Sequence, residues 1–272
     1  MRGADPGPAA LPRSPVRIRP TLAVLSLASV SAALAVALLV PPVAQWPEYH
    51  QFADQRRLLG IARFADVASN LPFSLVGLMG LAWLARHGTA AFIEAHEAWP
   101  WRVYFGGLVL LGPASAYYHL APDNQGLMLD RLAMGVTFMG WFAVHLAERV
   151  DVRLAVRTLP WLIVAAVASV LYWYASELAG RGDLRAWGYM QFWPVLLVWG
   201  LLAVAPARYT HTGDVLAVYA CYALALLLEW LDRPIYELSG LISGHTLKHL
   251  IAAAGAAWAL VWLMRRRPVG RA

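Results

Sequence analysis

Of the 272 residues, 60% are apolar and 14% charged, against roughly a quarter charged in an average soluble domain, which excludes an ordinary water-soluble fold. Lys and Arg number 22 against 16 Asp and Glu, a formal charge of +6, yet no run joins clustered Lys/Arg to aromatics outside the apolar segments. The charge therefore reads as membrane topology and excludes nucleic-acid binding, while the single cysteine, Cys221, excludes an intramolecular disulfide and any CxxC metal or redox motif.

A helix crossing the hydrocarbon core needs about 20 mostly apolar residues. Eight such stretches follow in chain order, at approximately 21–41, 66–86, 101–121, 126–147, 158–178, 188–206, 213–232 and 243–264. They predict an all-α, polytopic membrane helix bundle, one transmembrane domain over 21–264 between a cytoplasmic tail at 1–20 and a basic cytoplasmic tail at 265–272. The first stretch follows Arg13, Arg17 and Arg19 as a signal peptide would, but it is long and ends on Pro41-Pro42, not on a small-x-small cleavage site; it is expected to be retained. With the N-terminus inside, fourteen basic residues fall on the cytoplasmic side. Six fall outside, namely Arg56, Arg57, Arg63, Arg181, Arg185 and Arg233, which predicts that both termini are cytoplasmic.

Ionisable side chains at membrane depth cost several kcal/mol and mark functional sites. Here three helices supply them. The third ends Gly112-Pro-Ala-Ser115-Ala-Tyr-Tyr-His119, with Ser115 and His119 one turn apart on one face; the fourth opens with Asp130-Arg131; the eighth opens Ser243-Gly-His245-Thr-Leu-Lys-His249, aiming two imidazoles the same way. In the predicted topology all fall near the external ends of their helices. Three neutral imidazoles make an open tetrahedral zinc site whose fourth position takes a water, with its pKa lowered to about 7. Asp130 is placed to orient or deprotonate that water and Ser115 to bond a developing oxyanion. Each residue also has a plainer reading: Asp130 pairs with Arg131 or Lys248, and Ser115 packs helices. The other histidines, His50, His87, His96, His145 and His211, fall in loops or toward cytoplasmic ends and read as solvated or structural.

The pattern Ser115-x-x-x-His119, Asp130 and His245-x-x-x-His249 resembles, in spacing and order, the motif set of the alkaline ceramidases. These belong to the CREST superfamily of membrane hydrolases, with the progestin and adiponectin receptors and the hemolysin III proteins. Phe64-Ala-Asp66-Val-Ala-Ser69-Asn70-Leu-Pro72 is a weaker match to their first core helix, and the segment from Tyr49 to Arg56 is similar to bacterial members. The resemblance covers about residues 45–264 and implies a seven-helix core, with the first helix as an N-terminal addition. It implies His119, His245 and His249 as zinc ligands, Asp130 as the proton-transferring carboxylate and Ser115 as the group steadying the reacting carbonyl. It further implies a bacterial inner-membrane hydrolase with its site in the external half, cleaving the amide of ceramide or another N-acyl lipid. Where the eukaryotic enzymes offer a glutamate to calcium, this chain has Arg63, so the resemblance does not carry calcium dependence over. Asp54, Asp66 and Asn70 form a secondary polar group that either binds a cation or bonds neighbouring helices. Two rivals to the hydrolase are a receptor or signalling protein of the same architecture with a structural zinc, and a membrane haem protein pairing His119 with His245 or His249. A serine protease built on Ser115 is disfavoured, because its nearest histidine lies one turn away on the same helix.

Overall fold

The computed structural model describes residues 18–270; the predicted N-terminal tail through residue 17 and the last two residues of the basic tail lie outside them. Among the described residues the helices are α1 (Ile18–Leu39), α2 (Phe64–Ala68), α3 (Leu71–His87), α4 (Ala98–Leu120), α5 (Asn124–Arg149), α6 (Val152–Leu178), α7 (Arg185–Val204), α8 (Gly213–Trp230), α9 (Asp232–Ser239) and α10 (Gly244–Arg265). Short 3-10 turns cover Pro47–His50, Gly88–Ala91 and Ala95–Glu97.

Six segments are long and apolar enough to cross a membrane: Phe64–Ala91, Asn124–Arg149, Val152–Leu178, Arg185–Val204, Gly213–Trp230 and Gly244–Arg265. The chain is thus a multi-pass membrane protein. Large apolar side chains face outward along these helices, among them Leu75, Leu78, Trp161, Phe192, Leu196 and Leu227, as a hydrocarbon solvent requires. The predicted spans at 21–41 and 101–121 both form helices but fall outside the six. The apolar part of α1 is shorter, Ala23–Leu39. The sequence of α4 is diluted by Gly, Pro, Ser, Tyr and His. Position explains that dilution: α4 packs between α3 and α5 and buries Trp101, Tyr104, Phe105, Ser115 and His119, so it need not match lipid. A Cβ at Gly140 of α5 would lie 2.6 Å from the backbone nitrogen of Tyr104, the close backbone approach that small residues allow between membrane helices.

One predicted span is two helices, and another is followed at once by a helix that the apolar pattern does not show. The stretch at 66–86 breaks after Ala68 and resumes at Leu71, where Pro72 sits in the first turn and its missing N–H costs nothing. The stretch at 213–232 stops at Trp230, and the chain turns into α9, which the apolar pattern does not announce because it carries Asp232, Arg233 and Glu237 in eight residues.

The N-terminal helix is held to α7 by Tyr189 and Trp193, which donate to Ser29 at 2.8 and 3.0 Å, and by Arg185. Arg185 Nη2 meets Asp183 Oδ2 at 2.7 Å, and Arg185 Nη1 donates to the carbonyls of Ala37 and Val40 at 2.9 and 2.8 Å, at the C-terminal end of α1. In this loop the guanidinium beside Asp183 holds its carboxyl down from 3.8 to about 2. A depressed folded pKa means that the stabilisation is complete above the ordinary value and is lost as pH falls through about 2. Asp183→Asn is therefore expected to lower the melting temperature at pH 7. The gap to the unsubstituted protein should close as the pH is taken from about 4 to about 2, as followed by circular dichroism.

Candidate metal centre

Three imidazoles meet at one end of the bundle. His119 comes from the last turn of α4, and His245 and His249 from the first two turns of α10. All three are buried, at 1%, 4% and 3% exposure, and their candidate ligand nitrogens lie within 4.8 Å of one another. The ring centroids are 4.8, 4.8 and 4.7 Å apart. The three can hold a metal ion, and three neutral nitrogen donors suit a borderline-soft divalent cation.

The helix ends carrying the rings are tied down by groups from distant segments. Asp232 Oδ1 accepts from the backbone N–H of His245 at 2.8 Å and Asp232 Oδ2 from that of Ala53 at 2.9 Å, so one carboxylate caps α10 and pins the 51–54 loop. Gly244 permits this, since a Cβ there would lie 2.2 Å from the Leu228 carbonyl oxygen. Ser243 caps the helix through the N–H of Thr246 at 3.0 Å. The hydroxyls of Ser243 and Thr246 then donate to Asp66 Oδ1, at 3.2 and 2.6 Å, joining α10 to α2. The C-terminal end of α4 is held by Arg63, whose guanidinium donates to the carbonyls of His119 at 2.6 Å and Leu120 at 2.7 Å. Cations are favoured there by the helix dipole.

The tautomer of one ring follows from its partner. The Ser69 hydroxyl donates to the Asp66 carbonyl at 3.0 Å, so at 2.8 Å from His249 Nδ1 it acts as acceptor and leaves the Nε2 lone pair free for a metal. Nδ1 of His119 is buried without a hydrogen-bond partner. Phe52, 4% exposed, lies edge-on to His119 and His245 with centroids 4.5 and 4.6 Å away and covers the imidazoles with an apolar ring.

No protein-family model and no curated protein matches this chain. The functional reading therefore rests on geometry.

Asp130 and Ser115 are buried at 9% and 4% exposure and, with His249, line one cavity. Ser115 lies beside the Asp130 carboxyl, whose Oδ1 has no hydrogen-bond partner. Neither of the plainer pairings for Asp130 forms, because Lys248 Nζ goes to Glu229 Oε1 at 2.5 Å and Arg131 ion-pairs with no carboxylate among the described residues. The cavity, of ≈ 200 Å³, lies between α4, α5 and α7 on one side and α8 and α10 on the other. Below Asp130 it runs along Leu108, Met134, Phe138, Val198 and Ala252 to Tyr104, Trp141 and Tyr219. Eleven helical steps separate Asp130 from Trp141, about 17 Å of depth.

The members of the secondary polar group have different partners. Arg56 takes Asp54 through Nη2 at 2.6 Å and Nε at 2.9 Å, and in that loop the guanidinium holds the carboxyl below its usual range. Asp66 serves α10, the Asn70 amide donates to the Asp66 carbonyl at 2.7 Å, and Glu48 is exposed. Asp66 Oδ2 and Asn70 Oδ1 are buried without a hydrogen-bond partner, and the Arg63 guanidinium lies on the α4 carbonyls. Of the histidines set aside as solvated or structural, His145 is fully buried near the other end of α5, against Trp141 and Trp262. His50 hydrogen-bonds Tyr118 and Asn124 at 2.9 and 3.1 Å. The holding residues Ser69, Asp232, Arg63 and Phe52 were not legible as such, since each acts across a long sequence separation; the one local signal was the polar Ser69-Asn70 pair in an apolar run.

Ser69→Ala is expected to weaken metal binding by about 10- to 100-fold, measured by chelator competition on the purified protein. Unchanged affinity would remove Ser69 from the supporting shell.

Proposed function

We propose that the protein is an integral-membrane, zinc-dependent amidohydrolase that cleaves the amide of an N-acyl lipid, in a bundle whose eight long helices all cross the bilayer. The observation that carries this reading is a buried three-histidine cluster, one member of which, His249, lines a deep apolar cavity together with the Asp130 carboxylate and the Ser115 hydroxyl. When bound, zinc would polarise the amide carbonyl and acidify a water. Asp130, free of ion-pair partners, takes the proton of the attacking water and delivers it to the departing amine nitrogen, so the products are a fatty acid and an amine. Ser115 donates to the oxygen on which negative charge develops. The apolar depth below Asp130 receives the acyl chain, and Phe52 limits access of bulk water to the imidazoles.

The topology supports the same reading. The ligands lie at the end of the bundle where the charge bias of the loops predicts the external face, in a bacterial inner membrane with both termini cytoplasmic. The cluster favours zinc over haem, because three rings at mutual separations of 4.7–4.8 Å leave no slot for a porphyrin between any two. A purely structural metal would not need the unpaired Asp130 carboxylate, which is expensive to keep at this depth. It therefore favours a hydrolase over a receptor of the same architecture.

Purified protein is expected to carry about one equivalent of zinc, to lose it in His245→Ala, and to release fatty acid from N-acyl lipids in a chelator-sensitive manner. Asp130→Asn should keep the metal while release falls by at least about 100-fold. Less than half an equivalent of metal in the unsubstituted protein, or release insensitive to both chelator and Asp130→Asn, would overturn the reading.

A further inference from the structure

Two cations line the polar end of the cavity, Arg131 and Lys248. Lys248 is neutralised by Glu229 at 2.5 Å, and the same Glu229 oxygen accepts from the Tyr49 hydroxyl at 3.0 Å. Arg131 is different. It is 6% exposed, no carboxylate stands within ion-pair distance among the described residues, and Nη1 has no hydrogen-bond partner. Nη2 donates to Gln45 Oε1 at 2.7 Å. The guanidinium lies 4.1 Å from the centroid of Trp173, with Tyr49 at 5.8 Å and Trp187 at 5.9 Å, so an aromatic bed fixes its place without cancelling its charge.

Arginine keeps its proton at any ordinary pH, and a buried charge without a counter-ion is costly. The other buried arginines follow that rule, Arg149 and Arg266 both standing against the Glu148 carboxylate at 3.5 and 3.1 Å. The exception opens onto the cavity.

We propose that Arg131 binds an anionic group of the substrate, and that the lipid this site takes carries a carboxylate or a phosphate next to its N-acyl bond. Arg131 adjoins Asp130 on α5 and both line the cavity, so an anion on Nη1 sits beside the carboxylate that serves the reaction while the acyl chain runs down the apolar depth. An N-acyl amino acid or a phosphorylated N-acyl amine supplies that charge, and a neutral ceramide-type head group does not. The guanidinium's remaining N–H groups match carboxylate and phosphate oxygens alike. This inference relies on the amidohydrolase reading for the fate of the lipid, and its binding test stands apart from turnover.

The full-length protein in nanodiscs of neutral lipid is titrated with N-palmitoylglycine, its methyl ester, N-palmitoylethanolamine and the phosphate ester of the last. Both anions are expected to bind about 10- to 100-fold tighter than their neutral counterparts. A preference confined to the glycine or to the phosphate supports the site and names its anion. Arg131→Met should erase the preference and leave the neutral lipids unchanged, while Arg131→Lys should retain part of it. Equal affinity for acid and ester, and for phosphate and alcohol, in the unsubstituted protein overturns the inference, a comparison that needs no variant to fold. Fatty-acid release from the same four lipids separates the two claims. An anion preference without release sinks the amidohydrolase and keeps the anion site, and release without preference does the reverse.

Discussion

Everything at the functional end depends on how the N-terminus of α10 is anchored. Two carboxylates do it: Asp232 accepts the His245 N–H, and Asp66 accepts the hydroxyls of Ser243 and Thr246. The first turn of any helix offers unpaired N–H groups that must be satisfied away from water; here Asp232 of α9 takes that of His245, and Ser243, which takes that of Thr246, is itself bonded to Asp66 of α2. The capping requirement of one helix thereby becomes a three-way joint. That joint presents His245 and His249 to the end of α4, where Arg63 holds the His119 carbonyl.

The two ends of the bundle handle buried charge differently. At the end away from the imidazoles, Glu148 lies between Arg149 at 3.5 Å and Arg266 at 3.1 Å, and Arg266 lies over the ring of Tyr209 at 3.9 Å. The Thr210 N–H donates to the Arg267 carbonyl and the Val269 N–H to the Arg208 carbonyl, at 2.8 and 2.9 Å, so charge there fastens the C-terminal strap to the loop before α8. At the imidazole end, Asp130 Oδ1 and Arg131 Nη1, from residues that line the cavity, are left without partners, as is His119 Nδ1.

The cavity follows from how the helices divide. α8 packs closely on α10, and α5 packs on α4, α6 and α7. Side chains join α7 to α8, Gln191 donating to the Tyr222 hydroxyl at 3.2 Å and Trp199 standing 5.6 Å from Tyr219. Space between the two groups is bridged at the top by the polar residues around the imidazoles and floored by Tyr104, Trp141 and Tyr219. The charged and hydrogen-bonding groups gather at its mouth and the apolar ones below, the division an amphiphile with a polar head and an acyl chain presents.

The sequence by itself determined the helices and their local faces, because a run of apolar residues and a four-residue step express short-range geometry that needs no partner. It therefore carried the all-helical class, the pairing of Ser115 with His119 and of His245 with His249 on single faces, and the expectation that these meet near Asp130. Tertiary structure alone decided the rest. The break at Ser69-Asn70 turned Ser69 into the hydrogen-bond acceptor of His249, the unannounced α9 delivered Asp232 to His245, and Phe52 came from a loop nearly 70 residues before His119. Whether Asp130 and Arg131 would find counter-ions was equally undetermined, since Lys248 had Glu229 as a competing partner 19 residues away. Hydrogen bonds and ion pairs between distant segments depend on which helices pack together, and that choice is made by the whole bundle rather than by any single stretch of it.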